Sequence, residues 1–403
     1  MLTDAEEALV ARTVLGAVDE VVTRGAFLST VLERALKSVP DALREAVVLR
    51  CRAFVRRWRA LAELMPTGSP GDRYAGLLAL EGLGPTKRSL EAAFAKWLAV
   101  EAPVVRVARH AGLPDWLAAR LVEQYGAADA LALATALDRD APTCVRANRL
   151  LTTRESLCVA LAEFGPQPMA LATDGLVLTG GVGVFQSAPF QRGEFEVQDE
   201  GSQLVAELVA PPPKGLVLDL CAGSGGKSLA LAALLKGKGR VVATDVAEHK
   251  LDELRRRARR AQAGNVQILP YAEAEALIPK ADRVLLDAPC SGTGALRRNP
   301  EARHHLKASD LARFATAQAE LLARTVSALR PGGRVVYATC SVLREENEDV
   351  VATVAGVDVV PPKELWGRAR ATALTSSDGR FLQLLPHRHG TDGFFAAVLR
   401  RRA

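Results

Sequence analysis

Two cysteines stand where chemistry could be done. Cys290 lies in Asp287-Ala288-Pro289-Cys290-Ser291-Gly292-Thr293-Gly294, and Cys340 in Tyr337-Ala338-Thr339-Cys340-Ser341. Each follows a run that reads as a buried parallel strand, 283–286 and then 334–337. Open α/β sheets present their reactive groups in the crevice beyond the carboxyl ends of such strands. A thiolate is a strong nucleophile, and a free thiol with a pKa of about 8.5 needs only modest electrostatic help to form one. One such cysteine would read as core filler, because free cysteine is among the most buried residue types. Two of them, each in a turn marked by proline or serine, point to a reaction. Their spacing does not say which is the nucleophile. Cysteines 51, 144, 158 and 221 complete the set of six, with no CxxC pair, so neither a disulfide framework nor a zinc site is indicated. His304-His305 and the pair His387 and His389 lack partners at metal-ligand spacing, and no metal is expected.

A third element of the pattern is Asp219-Leu220-Cys221-Ala222-Gly223-Ser224-Gly225-Gly226-Lys227, which follows a strand and opens a helix. Its glycines let backbone approach a ligand closely, and the helix start offers unpaired N–H groups. The loop is neither GxGxxG nor GxxxxGK[ST], which disfavours dinucleotides and triphosphates. Asp245 ends the next strand, where a carboxylate can accept hydrogen bonds from ribose hydroxyls. An acidic loop also suits a cofactor that carries positive charge, such as the sulfonium of S-adenosylmethionine. The plain alternative is that Asp219 and Asp245 are ordinary turn residues at strand ends.

The elements that must hold these loops alternate strand and helix from about residue 200. Strands are expected at 216–220, 241–245, 266–269, 283–287 and 334–339, with helices at 226–235, 247–263 and 310–329. Such alternation predicts a mostly parallel sheet covered on both faces. The segments 381–385 and 394–399 are expected to close the sheet as an antiparallel edge pair. Residues 1–138 read as a separate all-helical domain. Thr3 and Glu6 form a capping box ahead of an apolar stripe with Val10, Val14, Val18 and Val21, and Gly25 stops that helix. Further helices are expected at 27–37 and 41–64. Between the two domains, 139–205 forms a small α+β connector, helical over 145–163 with short strands in 176–198; the catalytic domain spans 206–403.

The chain has 403 residues and a net charge of +6, enough for two or three domains and suited to a polyanionic partner. Helix 41–64 carries Arg44, Arg50, Arg52, Arg56, Arg57 and Arg59 interleaved with Phe54 and Trp58. It reads either as an RNA-backbone contact surface or as an ordinary charged face. The start of the chain is acidic where a secretory signal is basic, and no apolar run is long enough to span a bilayer. A cytoplasmic monomer without membrane contact is the expectation.

At these residues the chain resembles the bacterial RsmB branch of the RsmB/NOP/NSUN RNA 5-methylcytosine methyltransferases. Asp219 to Lys227 resembles that family's cofactor loop, Asp287 to Gly294 its proline-cysteine motif, and 331–341 with Glu345-Glu346-Asn347-Glu348 its nucleophile motif. Val197 to Gln203, Asp392-Gly393-Phe394-Phe395, Leu113 to Leu117 and Arg146-Ala147-Asn148 match as well. Strong resemblance runs from about residue 113 to 403; over 1–112 it rests on helix count and basicity. It implies a NusB-like helical RNA-binding domain and a Rossmann-like class I methyltransferase domain. The implied cofactor is S-adenosylmethionine, held by Cys221, Ala222, Gly223, Ser224, Gly225, Gly226, Lys227, Asp245 and Asp287. The implied chemistry has Cys340 adding to C6 of a cytosine, Asp287 holding the pyrimidine edge and Cys290 assisting release. Arg297, Arg298 and Arg303 would hold RNA phosphates near that pocket. The implied substrate is small-subunit (16S) ribosomal RNA, with transfer RNA as the runner-up. Two positions depart from the family: Gly223-Ser224 replaces Ala-Pro, and Ala272 with Glu273 stands where an adenine-contacting Asp is usual. Three rival classes make different demands. A non-catalytic RNA-binding or antitermination factor needs neither cysteine, an amino-methyltransferase needs no thiol, and a dehydrogenase needs the GxGxxG that is missing.

Overall fold

The computed structural model describes residues 2–181 and 183–403. It divides into two compact units, Met1–Asp140 with Ala295–Ala308, and Ala141–Gly294 with Ser309–Ala403. The expected connector therefore folds with the catalytic unit, and a short segment just downstream of the Cys290 motif belongs to the helical one.

The helical unit is built from α1 (Asp4–Arg24), α2 (Leu28–Ala35), α3 (Asp41–Leu64), α4 (Pro70–Leu80), α5 (Arg88–Leu98), α6 (Pro103–His110) and α7 (Asp115–Leu137). The capping box is present: Thr3 N–H donates to Glu6 at 2.7 Å, and Glu6 N–H donates to the Thr3 hydroxyl at 3.3 Å. Gly25 closes α1 in the left-handed region, φ 72°, a conformation that costs a side-chain-bearing residue about 1 kcal/mol or more. Val10, Val14, Val18 and Val21 are buried against Val47, Cys51, Phe54, Val55 and Leu61 of α3, so period-3.6 spacing on two helices makes one core.

In the second unit a four-stranded antiparallel sheet has the order β2 (Pro166–Pro168), β3 (Gly175–Leu178), β1 (Thr143–Ala147), β4 (Phe195–Val197). The first strand corrects the helical reading of 145–163: Cys144, Val145 and Ala147 are β-branched or small and buried, the first two paired with β3 and Ala147 with β4, and the helix starts only at Arg154. The larger sheet contains β5 (Leu216–Asp219), β6 (Arg240–Ala243), β7 (Val266–Ile268), β8 (Arg283–Asp287), β9 (Arg334–Thr339), β10 (Val357–Val359), β11 (Leu382–Leu384) and β12 (Phe394–Arg401). Its order is β10-β12-β9-β8-β5-β6-β7, with β11 paired to β12. Strands β5 to β9 run parallel, and β12 is antiparallel to β9. The expected edge pair needs correction here. β11 does pair with β12, but β12 lies inside the sheet between β9 and β10. The reason is compositional: Phe394 to Leu399 is apolar at every position and buried throughout, so both of its faces need cover.

The order reverses between β5 and β8, where the chain has gone from β5 outward through β6 and β7 and returned. The crevice at the carboxyl ends of β5, β6, β8 and β9 is therefore the place for a ligand. It receives Asp219, Asp245, Asp287 and both cysteines.

Candidate active site

The glycine loop is shaped by backbone strain that only glycine tolerates. Gly225 has φ 88°, and a Cβ there would stand 2.0 Å from a Leu254 methyl. Gly223, φ 52°, has open space where its Cβ would be. The Gly223 N–H donates to one oxygen of Asp245 at 2.8 Å, and the Ala247 N–H to the other at 2.8 Å. Asp245 thus ties the ends of β5 and β6 together and keeps lone pairs for a ligand. Asp219 is buried; one oxygen accepts the Ser228 hydroxyl at 2.6 Å and the other has no partner. Burial pushes its carboxyl up to about 7, against the opposing pull of Ser228. Cys221 is likewise raised, first by burial and then by Asp219, Asp287 and Asp245. Val246, beside Asp245, is 87% exposed, an apolar side chain with nothing covering it. An orphaned buried carboxylate oxygen, three acids around one loop and an uncovered apolar side chain fit a cofactor with a cationic centre, hydroxyls and a flat base.

Residues outside the expected set hold this loop. Glu196 on β4 is buried and accepts two hydrogen bonds from Arg257, at 2.8 and 3.0 Å, and one from Arg260 at 2.6 Å. Arg257 then donates to the Ser224 carbonyl at 2.9 Å and hydroxyl at 3.1 Å. An acid alternating with Phe195 and Val197 on a short strand was the available signal. Asn148 makes a second tie, donating to the carbonyls of Gly193 and Ala261 at 2.9 and 2.8 Å.

Cys290 and Cys340 face one another with sulfurs 3.4 Å apart, both partly buried. They follow the neighbouring strands β8 and β9, whose register pairs Asp287 with Ala338. The loops are bound together by Gly294 N–H to Cys340 carbonyl, 2.9 Å, and by Val342 N–H to the Thr293 hydroxyl, 3.1 Å. Gly294 also touches Gly393 backbone to backbone: a Cβ on Gly294 would fall 2.3 Å from the Gly393 oxygen. Asp199, which caps the helix Glu200–Leu208, accepts the Asp392 N–H at 3.1 Å and so anchors that last loop.

Lys227 leaves the glycine loop for the cysteines. Its ammonium meets Asp287 at 2.6 Å and lies 5.3 Å from the centre of the Phe394 ring. Burial works against this cation, but Asp287 outweighs it, with a smaller attraction from Cys340, and the pKa rises. The Cys290 thiol is held well above its ordinary range, first by its hydrogen bond with Cys340, then by burial and by Glu346.

The arginine expectations divide. Arg303 is buried, its guanidinium donating to the Ala111 carbonyl and paired with Asp138 at 2.8 Å, so its expected role on RNA phosphate is withdrawn. Arg297 is also buried, 6% exposed, and cannot present its charge to RNA. Arg298 is partly exposed and stays a candidate. Along α3, Arg50 pairs with Glu7, Arg52 and Arg56 with Asp140, Arg57 with Asp138 and Glu81, and Arg59 with Glu63 and Asp115. That helix is a charged scaffold face more than a phosphate track. Glu273 is exposed on a short helix after β7, and Ala272 offers no carboxylate.

A family model of 16S rRNA methyltransferases RsmB/F matches residues 206–400, and one for the ferredoxin-like domain of RsmF/B-like methyltransferases matches 113–185. A probable ribosomal RNA small subunit methyltransferase B of Bacillus subtilis is 33% identical over 322 residues, 75% of this chain and 70% of the relative. A methyltransferase homolog protein from Pyrococcus horikoshii superposes with a TM-score of 0.63 at 28% identity, over 75% of this chain and 100% of that one. The crystal structure of NSun6 from Pyrococcus horikoshii with SFG, a S-adenosylmethionine analogue, gives a TM-score of 0.64 at 20% identity, over 72% of this chain and 98% of that one, a likeness of fold.

Proposed function

The chain belongs to the RsmB/F family of S-adenosylmethionine-dependent rRNA methyltransferases, and on that footing we propose that it methylates C5 of a cytosine in small-subunit ribosomal RNA through a covalent adduct on Cys340. The observation that carries the cytosine-C5 reading is the pair of thiols 3.4 Å apart beside Lys227 and Asp287. A methyltransferase acting on an amine or hydroxyl has no use for a nucleophilic sulfur, because its substrate atom already carries a lone pair. C5 of cytosine does not, and must be made electron-rich first.

Cys340 supplies that activation. Its thiolate adds to C6, a C6–S bond forms, and the electron pair of the C5–C6 double bond becomes available at C5. Lys227 holds Asp287 by an ion pair at 2.6 Å and so orients its carboxylate toward the pyrimidine edge, where charge develops. When bound, S-adenosylmethionine supplies an electrophilic methyl group; Gly223, Gly225, Asp219 and Asp245 are the residues that would hold it. Cys290 stands where the sulfur of the adduct must leave. The target base has to be unpaired or flipped out of its stack, at about a few kcal/mol.

Bisulfite sequencing of total RNA from cells with and without the gene tests the reading. One protected cytosine in the small-subunit rRNA should become convertible when the gene is lost. Loss of protection in a transfer RNA instead would move the substrate, and no change anywhere would end the C5 assignment.

A further inference from the structure

Behind the two sulfurs lies a carboxylate that the mechanism so far does not use. Glu346 is fully buried. It accepts the Ser291 N–H at 2.8 Å, the Ser291 hydroxyl, and the Gln318 amide at 3.1 Å. Gln318 also donates to the Pro289 carbonyl at 2.9 Å, so the turn on both sides of Cys290 hangs from this pair. The Tyr337 hydroxyl donates to the Glu346 carbonyl, and Asn347 next door holds the Ser341 carbonyl at 3.0 Å. Among the described residues no lysine, arginine or histidine lies within ion-pair distance of it. An unpaired buried carboxylate is expensive, of the order of several kcal/mol, and a neutral Gln could make similar hydrogen bonds. Fold stability alone therefore does not explain a charge here.

We propose that Glu346 is a positioning residue for Cys290: its carboxylate fixes the Pro289–Ser291 turn and holds the Cys290 sulfur, as a hydrogen-bond donor, against the sulfur of Cys340. The proposal rests on the covalent route above and assigns Glu346 to its last step. In that step the electron pair of the C5–H bond re-forms the C5–C6 double bond, and the proton passes to water. The C6–S bond breaks with its electrons on sulfur, and Cys340 departs as a thiolate. A neighbouring S–H stabilises that thiolate; a neighbouring thiolate would repel it. The groups that interact with Cys290 are Cys340, Glu346 and the Tyr337 phenol, while Lys227 interacts with Asp287 and Cys340. Of these, the negative charge of Glu346 is the one that favours the protonated form of Cys290 without competing for C6.

The test compares full-length wild type, Cys290→Ala, Glu346→Ala and Glu346→Gln, each with a 16S rRNA transcript and S-adenosylmethionine. Glu346→Ala should accumulate a protein–RNA complex that survives denaturing electrophoresis, as Cys290→Ala does, with cofactor affinity unchanged. The double variant Cys290→Ala/Glu346→Ala, run alongside, should trap no more than Cys290→Ala alone. If Cys290→Ala traps complex and Glu346→Ala slows attack and release alike with none, Glu346 is merely structural and the proposal falls. If Cys290→Ala itself traps nothing, the covalent route falls, and Glu346 is judged on a readout free of catalysis. Alkylation of Cys290 by iodoacetamide, followed by mass spectrometry against pH, should show a midpoint lower by on the order of one pH unit in Glu346→Gln. An unchanged midpoint overturns the proposal. Should Glu346→Ala fail to fold, Ser291→Ala removes one of its bonds and should trap complex to a lesser degree; none trapped counts against it.

Discussion

In the helical unit charge is consumed where it is made; in the catalytic unit it is left unbalanced around one place. Arg50, Arg52, Arg56, Arg57, Arg59 and Arg303 each find a carboxylate within their own unit. At the carboxyl ends of β5, β6, β8 and β9, by contrast, Asp219, Asp245, Asp287 and Glu346 gather, and only Asp287 meets a cation among the described residues. Paired charges serve a scaffold. Unpaired buried acids cost stability, and clusters of them mark a place where a ligand or a transient charge completes the balance. The contrast says where to look for chemistry even before the cysteines are considered.

The contrast is most exposed at the sulfurs. Cys340→Ala should abolish methyl transfer and form no covalent complex, whereas Cys290→Ala should trap one. Denaturing gels with labelled RNA read both, and trapping by Cys340→Ala alone would exchange the two roles. The next largest effect belongs to the scaffold. Arg303→Ala leaves Asp138 short of a buried partner and should cost about 3–5 kcal/mol in urea unfolding. The salt dependence of RNA binding should not change; a flatter slope would return Arg303 to the phosphate role and erase the contrast.

The helical unit also carries a pH signature. Burial lowers His304 to about 4, with its ring bonded to the Val55 carbonyl at 2.8 Å. The unfolded chain binds the proton more readily, so stability is full above the ordinary histidine pKa of about 6.5 and falls as pH drops toward 4. His304→Gln should remove roughly 2–3 kcal/mol of that dependence, and an unaltered pH–stability curve would show the ring is solvated. In the catalytic unit Asp245→Ala should weaken S-adenosylmethionine binding by about 1–3 kcal/mol; it also frees the Gly223 and Ala247 N–H groups, so affinity is compared where the variant is still folded. Calorimetry giving equal affinities would remove Asp245 from the cofactor's partners.

Much of this could be read from the residues. Strand-end motifs are local: Asp287 to Gly294 and Tyr337 to Ser341 carry their own turns, and the limits of α3, β8 and β9 follow from apolar periodicity and flanking breakers. What escaped depends on distant partners. The arginines of α3 have the same spacing whether they face phosphate or Asp138 and Asp140, and only folding supplies the acids. Glu346 reads as one acid in an acidic run, and its burial is fixed by Ser291 and Gln318, 55 and 28 residues away. The placement of β12 inside the sheet was signalled by a continuous apolar run, which an edge strand would avoid.

One feature of the fold governs how the molecule can be made and taken apart. Ala295–Ala308 belongs to the helical unit, although Cys290 precedes it and Cys340 follows it. His304 and His305 bond the carbonyls of Val55 and Val21, and Glu301 accepts the N–H of Leu28. During synthesis, then, the helical unit waits unfinished while the glycine loop and the first cysteine are being translated, so folding is not a simple procession of completed domains. For the same reason a cut at Asp140 yields no clean halves: one fragment lacks the segment that bonds to α1, α2 and α3, and the other carries that segment without those partners. Rearranging this enzyme by fusing its front to another methyltransferase would have to move both pieces together.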